Sequence, residues 1–196
     1  MSPGESRTID SADGTPLSVV SAGSGPPLLH SIGAVCVLGA AAAGASIRRV
    51  ALYEPPGPET VPRDWVDRAT AMVAAGEHGR AMSSFLREVI GLTPATVAGL
   101  RDSPVAQDCL GIVAATLVRE AEALATVQLG VLAERVAHPV LLLLGAESPG
   151  WAATTTRRLI GALRDPTLVT LAGLGHEGVD TAPRRVGSEL IAFFSR

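Results

Sequence analysis

A chain of 196 residues with 47% hydrophobic and 18% charged content is sized for one domain around a substantial core, which excludes a disordered polymer. Sixteen basic and 19 acidic residues give a net charge of -3 with no long run of either sign, so no electrostatic footprint points to nucleic acid or an anionic membrane. Two cysteines, Cys36 and Cys109, each inside an apolar helix-like segment, are expected to be buried and reduced, which makes the cytoplasm the expected compartment.

Thr8-Ile9-Asp10 and Leu17-Ser18-Val19-Val20 flank the turn signal Ser11-Ala12-Asp13-Gly14, so the N-terminus reads as a β-hairpin. Gly23-Ser24-Gly25 then turns the chain into Pro26-Pro27-Leu28-Leu29, where two prolines without N–H groups force any following strand to be very short. Next comes Leu28-Leu29-His30-Ser31-Ile32-Gly33, read as a strand, a sharp turn bearing a nucleophile-type serine, and a helix. A hydroxyl above a helix start is chemically useful because the first N–H groups and the helix dipole favour a developing oxyanion. Glycine is wanted two residues before and two after such a serine; this chain has Leu29 and Gly33. The small-residue run from Ile32 to Ala45 is 14 residues long, short of the about 20 that a membrane span needs, and reads as a buried helix.

Val50-Ala51-Leu52-Tyr53 and Val140-Leu141-Leu142-Leu143-Leu144 are continuous apolar runs, expected of parallel strands covered on both faces, and Leu168-Val169-Thr170-Leu171 is a further strand. Ser103-Pro104, Thr93-Pro94 and Ser148-Pro149 read as helix starts with a cap followed by proline. Val186, Leu190 and Phe194 recur at four-residue spacing and give the last helix one apolar face. Residues 55–135 differ: helical patterns run from Trp65 to Ala75, Ala81 to Ile90 and Val105 to Ala125, with no convincing strand. The expected architecture is an α/β core from residues 1–54 and 136–196, a mostly parallel sheet flanked by helices with an N-terminal hairpin. Residues 55–135 form a helical cap over the C-terminal sheet edge, enclosing an apolar pocket.

Taken in order, Ser31-Ile32-Gly33, the strand end Leu52-Tyr53-Glu54-Pro55-Pro56, the cap, Leu142-Leu143-Leu144-Gly145 and Gly173-Leu174-Gly175-His176 resemble the α/β-hydrolase superfamily over essentially the whole chain. The resemblance implies Ser31 as nucleophile and His176 as its base. It leaves two acids, Glu54 at the end of the strand after the serine helix, which is preferred, and Glu147 on the loop after Leu144. Glu147 is one residue short of the usual spacing, and Ser148 holds that position. In such proteins a strand ending in a His-Gly oxyanion loop and two βα units precede the serine strand. Here about 60 residues are absent, taking roughly 30 per βα unit, and this internal shortening accounts for Leu29. The N–H of Ile32 remains as one oxyanion donor, with His30 a candidate for the second. Loss of one donor costs roughly 100- to 1000-fold in rate.

Other patterns dissolve. Gly173-Leu174-Gly175-His176-Glu177-Gly178 spells a dinucleotide fingerprint, yet only 18 residues follow it, too few for a second βα unit. His30, His78, His138 and His176 are scattered without ligand spacing, so neither a metal nor another cofactor is expected. Trp65 and Trp151 read as packing anchors that could also line the pocket. The expected function is serine-dependent hydrolysis of a small apolar ester, lactone or thioester. The alternatives are a non-hydrolytic cyclase or isomerase using His176 or Glu54 for proton transfer, and a catalytically inactive truncated homologue. The partner is a small-molecule substrate, with a second copy of the chain as candidate cover for the shortened side of the sheet.

Overall fold

The computed structural model describes residues 5–10, 16–21, 28–101 and 104–196, and the side chains of 28–100, 113, 114 and 116–196. The N-terminal strands β1 (Glu5–Asp10) and β2 (Pro16–Ser21) pair antiparallel, with Ile9 opposite Leu17, as a two-stranded sheet of their own. The Asp-Gly turn expected between them, the Gly-Ser-Gly-Pro-Pro segment and Ser103 lie outside the described residues, and so does the side chain of Cys109.

The main sheet is open and parallel, with four strands in the order β3 (Leu29–His30), β4 (Val50–Tyr53), β5 (Val140–Gly145) and β6 (Pro166–Leu171). Its register sets His30 beside Tyr53, Tyr53 beside Leu143 and Gly145 beside Leu171, so the four strand ends are adjacent. Alternation along each strand divides the apolar runs between two faces. Val50, Leu52, Val140 and Leu142 pack against α1 (Ile32–Ala42), α6 (Leu129–Glu134) and α7 (Gly150–Ala162). Ala51, Tyr53, Leu141 and Leu143 face the opposite cluster, which includes Val186 and Phe193 of α9 (Pro183–Phe194). Leu52, Leu141, Leu142 and Leu143 are at most 1% exposed, so each side chain stabilises the fold by about 1.5–3 kcal/mol. The predicted face of the last helix forms, with Leu190 and Phe194 partly buried beside Val186.

Between β4 and β5 the described residues carry helices and no strand: α2 (Arg63–Ala74), α3 (His78–Glu88), α4 (Pro94–Arg101) and α5 (Pro104–Leu124), then α6. The first three predicted helical patterns correspond to α2, α3 and α5. Thr93 caps α4 as its sequence suggests, its Oγ1 accepting the Thr96 N–H at 3.2 Å. These helices share a small core of their own: Trp65, Val66, Ala69, Val89 and Ala121, with Phe85 and Leu117 against them. Trp65 is 1% exposed and donates its indole N–H to Ser84 Oγ at 2.9 Å, so it is a packing anchor away from the cleft described below. By contrast α6 shares the sheet cluster, Leu129 and Ala133 lying with Leu38, Leu142 and Leu159.

Two local expectations are corrected. Cys36 is exposed, although α1 is apolar all round, because its buried positions Ala34, Leu38 and Ala41 form one stripe and the opposite side is left uncovered. Ser148 does not cap α7; the helix starts after Pro149 without a side-chain cap, and the Ser148 hydroxyl is used elsewhere. Among the described residues no helix is long and apolar enough to cross a membrane.

Candidate active site

The C-terminal ends of four neighbouring strands bring together Ser31 from β3, Glu54 from β4, Ser148 from the loop after β5, and His176 from the loop after β6. Extension of the ladder beyond the strands locks two of them in place. The Ser31 N–H donates to Tyr53 O at 3.0 Å and the Glu54 N–H to Leu143 O at 3.2 Å.

Ser31 joins β3 to α1 with φ 53° and ψ −129°, a conformation that L-residues rarely adopt and that costs about 1–3 kcal/mol. Among the described residues only one other non-glycine residue has a left-handed φ, and it is Glu54 at 45°. A serine at a helix start ordinarily caps it through its side chain. Ser31 makes no such hydrogen bond, so helix capping does not explain its presence. The sharp turn forms without glycine at position 29: Leu29 packs partly buried against the sheet cluster, and a Cβ on Gly33 would meet only Leu29 Cδ1 at an ordinary 4.0 Å. Ile32 opens α1, where first-turn N–H groups have no intrahelical acceptor.

Glu54 is completely buried, a costly place for a carboxylate unless donors surround it. Three do. Its Oε1 accepts the Gly145 N–H at 2.6 Å and the Ser148 hydroxyl at 2.5 Å, and its Oε2 accepts His176 Nδ1–H at 2.7 Å. Because an ionised carboxylate only accepts, the His176 proton sits on Nδ1 and Nε2 is left with a lone pair, the tautomer a general base requires. Gly145 is the residue that permits this packing, since a Cβ there would overlap the Leu174 carbonyl oxygen and the Ser148 hydroxyl. Glu147, the other candidate acid, is exposed, and its backbone N–H bonds to Leu174 O. The spacing after β5 that would ordinarily supply an acid therefore supplies a hydroxyl that supports an acid from the neighbouring strand.

His176 is 5% exposed, and its loop is tied down by two side chains. Tyr53 donates its buried hydroxyl to Gly175 O at 2.7 Å, and His30 Nε2–H donates to His176 O at 3.0 Å. The His30 and His176 ring centroids are 4.4 Å apart, and Trp151 meets the His176 ring edge-on at 5.1 Å. His30, expected near an oxyanion, thus has its Nε2–H engaged by the loop carbonyl and does not line the cleft. Tyr53 was not singled out as a site residue by the sequence; its position beside Glu54 was the only available signal. Burial, then the nearby Glu54 charge, raises the Tyr53 phenol well above its ordinary range, so it remains a donor at any working pH. Tyr53→Phe is expected to cost about 1 kcal/mol, removing one of the two hydrogen bonds to the Gly175 carbonyl, which keeps the Gly178 N–H. It should also lower kcat more than it changes KM; urea unfolding and steady-state kinetics check both, and unchanged values contradict the role.

Burial, then the adjacent His176, pushes His30 below its ordinary 6.5. The unfolded chain therefore takes up this proton at higher pH than the folded chain does. Its contribution to stability is present above pH 6.5 and lost as pH falls below that value. Thermal melting between pH 7.5 and 5.5 should show a steeper decline in the wild type than in His30→Gln; parallel curves contradict this.

Ser31 lines a cleft of about 250 Å³ between the start of α1 and the overlying helices, with Ile32, Pro56, Phe85, Leu117 and Trp151 among its walls. Trp151 therefore packs against His176, faces the cleft and donates its indole N–H to Val89 O at 2.9 Å. Ser31 Oγ and His176 Nε2 are not hydrogen-bonded to each other, nor to any other group among the described residues. Such bonds often tighten only when substrate is bound.

No family model matches the sequence, and none of the curated proteins matches it. Among solved structures, the chain is similar to an alpha/beta hydrolase from Sphaerobacter thermophilus at 30% identity and a TM-score of 0.68, over 85% of this chain and 66% of that one. It is similar in fold to the enol-lactonase from Burkholderia xenovorans, at 22% identity and a TM-score of 0.60, over 86% of this chain and 65% of that one. An esterase from Exiguobacterium antarcticum matches at 12% identity and a TM-score of 0.62, over 86% and 66% of the two chains. The chain spans just under two thirds of the length of each of these proteins. With its parallel sheet, its strained serine turn and a buried Glu-His pair at the adjoining strand ends, the chain belongs to the α/β-hydrolase superfamily.

Proposed function

We propose that this protein is a serine-dependent hydrolase of a small apolar ester, lactone or thioester, with Ser31 as nucleophile, His176 as general base and Glu54 as the group that orients it. The observation carrying this reading is the buried 2.7 Å contact between Glu54 and His176 beside a strained, non-capping serine. The enol-lactonase and the esterase among the similar structures support the substrate class. In the reaction, Ser31 Oγ attacks the acyl carbon as its proton passes to His176 Nε2. The tetrahedral oxyanion takes the Ile32 N–H, and collapse expels the alcohol or thiol with the proton from His176. Water, deprotonated by the same nitrogen, then releases the acid and restores Ser31.

The shortening before β3 that the sequence suggests removes the loop that supplies a second oxyanion donor. Turnover is then about 100- to 1000-fold slower than with two donors. Acylation by an activated ester tolerates this better, so p-nitrophenyl acetate should give a stoichiometric burst followed by slow turnover. Folded protein with neither burst nor turnover overturns the proposal.

A second reading, proton transfer in a cyclase or isomerase by the His176–Glu54 pair alone, draws on the absence of a Ser31–His176 hydrogen bond. Activity that survives Ser31→Ala and is lost in His176→Ala selects it. We also propose a homodimer covering the side where β3 is only two residues long and α1 exposes Cys36 and Ala40. Sedimentation should show dimers at micromolar concentration; a monomer up to high concentration contradicts this.

A further inference from the structure

The walls of the cleft hold one residue that does not belong with the others. Of the described side chains lining it, only Glu120 is charged. It lies on α5 within the stripe Val113, Leu117, Ala121 and Leu124, where helical spacing calls for an apolar residue and where all four neighbours line the same cleft. The flanking positions Arg119, Glu122 and Ala123 are exposed, so the opposite side of the helix is the solvent side. Glu120 itself is half-buried.

Among the described residues lining the cleft Glu120 is a carboxylate without a partner, whereas Asp67 and Glu122, also unpaired, are exposed to solvent. Four carboxylates between β4 and α5 are held by arginines: Glu59 by Arg158, Asp64 and Glu88 by Arg68, and Glu77 by Arg80. Glu120 has neither an ion pair nor a hydrogen bond among the described residues. A half-buried carboxylate on an apolar wall is unfavourable unless something of opposite charge meets it. The same cavity is lined by Ser31 and by the aromatic Phe85 and Trp151, residue types that also favour a cation.

We infer that Glu120 determines specificity, and that the substrate is an acyl compound with a short apolar body ending in a protonated amine, whose ammonium group meets Glu120 while its carbonyl lies at Ser31. The inference rests on the reading of Ser31 as nucleophile. It narrows the apolar-substrate expectation to an apolar chain with one cationic end, and at about 250 Å³ the cleft suits a small molecule.

The test compares p-nitrophenyl 6-aminohexanoate with p-nitrophenyl heptanoate, which have the same length and differ in the terminal ammonium. The wild type should prefer the ammonium ester by about tenfold in kcat/KM, the size of one charge-assisted contact. In Glu120→Gln the ratio should fall to about one, and Glu120→Lys should invert it. A ratio that Glu120→Gln leaves unchanged overturns the inference. A binding measurement separates this from failure of the catalytic reading: calorimetry with hexylammonium and hexan-1-ol needs no turnover. Tighter binding of hexylammonium, by about tenfold and lost in Glu120→Gln, supports the site even if neither ester is hydrolysed. Equal affinities, or no binding of hexylammonium, overturn it.

Discussion

Replacing Glu54 by glutamine is expected to lower kcat/KM for an activated ester about 10,000-fold, the loss typical when the carboxylate that orients a catalytic histidine becomes an amide. The size follows from the donors around it. Oε1 receives two, from Gly145 and Ser148, and Oε2 receives one, from His176. A glutamine oxygen is drawn to the position with two donors, which turns its NH2 toward His176. The imidazole must then accept at Nδ1 and carry its proton on Nε2, so the nitrogen that should take the Ser31 proton is already occupied. Glu54→Ala loses the acceptor altogether and leaves three donors without it, two of them buried, at about 3–5 kcal/mol of stability. Steady-state kinetics and urea unfolding measure the two effects. A glutamine variant within tenfold of the wild type contradicts the role assigned to Glu54.

Ser31→Gly should move activity and stability in opposite directions. The strained backbone at Ser31 costs about 1–3 kcal/mol that glycine does not incur, while the greater freedom of glycine in the unfolded chain returns about 0.5–1 kcal/mol of that gain. A net stabilisation of about 1 kcal/mol is expected, with hydrolysis reduced to the spontaneous rate. Ser31→Ala keeps its Cβ in the same conformation and should lose the activity without the gain. The comparison is read from urea midpoints; a glycine variant less stable than the alanine variant contradicts a strained turn. This pattern, in which the functional residue is a cost to the fold, is common at catalytic sites.

Much of the fold was legible because its signals are local. The runs Val50–Tyr53 and Val140–Gly145 are apolar at every position, and the structure buries them from both faces. The 186, 190, 194 spacing marks the face of α9 directly. Short elements were less legible: α6 has six residues, too few to establish a period, and only its packing beneath α1 and α7 makes it a helix of the sheet layer. Cys36 was read as buried because α1 is apolar all round; its exposure depends on which neighbours cover the helix, which no local pattern encodes.

The candidate residues Ser31, Glu54 and His176 were singled out through the family resemblance, and their places at neighbouring strand ends were legible because a parallel sheet gathers such ends along one edge. Their supports were not. Tyr53 to Gly175 and His30 to His176 O join residues 122 and 146 positions apart, and Ser148 serves Glu54 across 94 positions. A Ser-Pro pair spells a helix cap equally well. Only the neighbouring strand, by presenting a buried carboxylate, draws the Ser148 hydroxyl away from that use.

In the proposed reaction His176, oriented by Glu54, activates the Ser31 hydroxyl. Labelling with a fluorophosphonate, followed by mass spectrometry of the tryptic peptides, tests it most directly. One stoichiometric adduct on Ser31 is expected, at least 100-fold slower to form in His176→Ala and in Glu54→Gln. Folded wild-type protein without a Ser31 adduct, or one that forms at the same rate when His176 is removed, contradicts it.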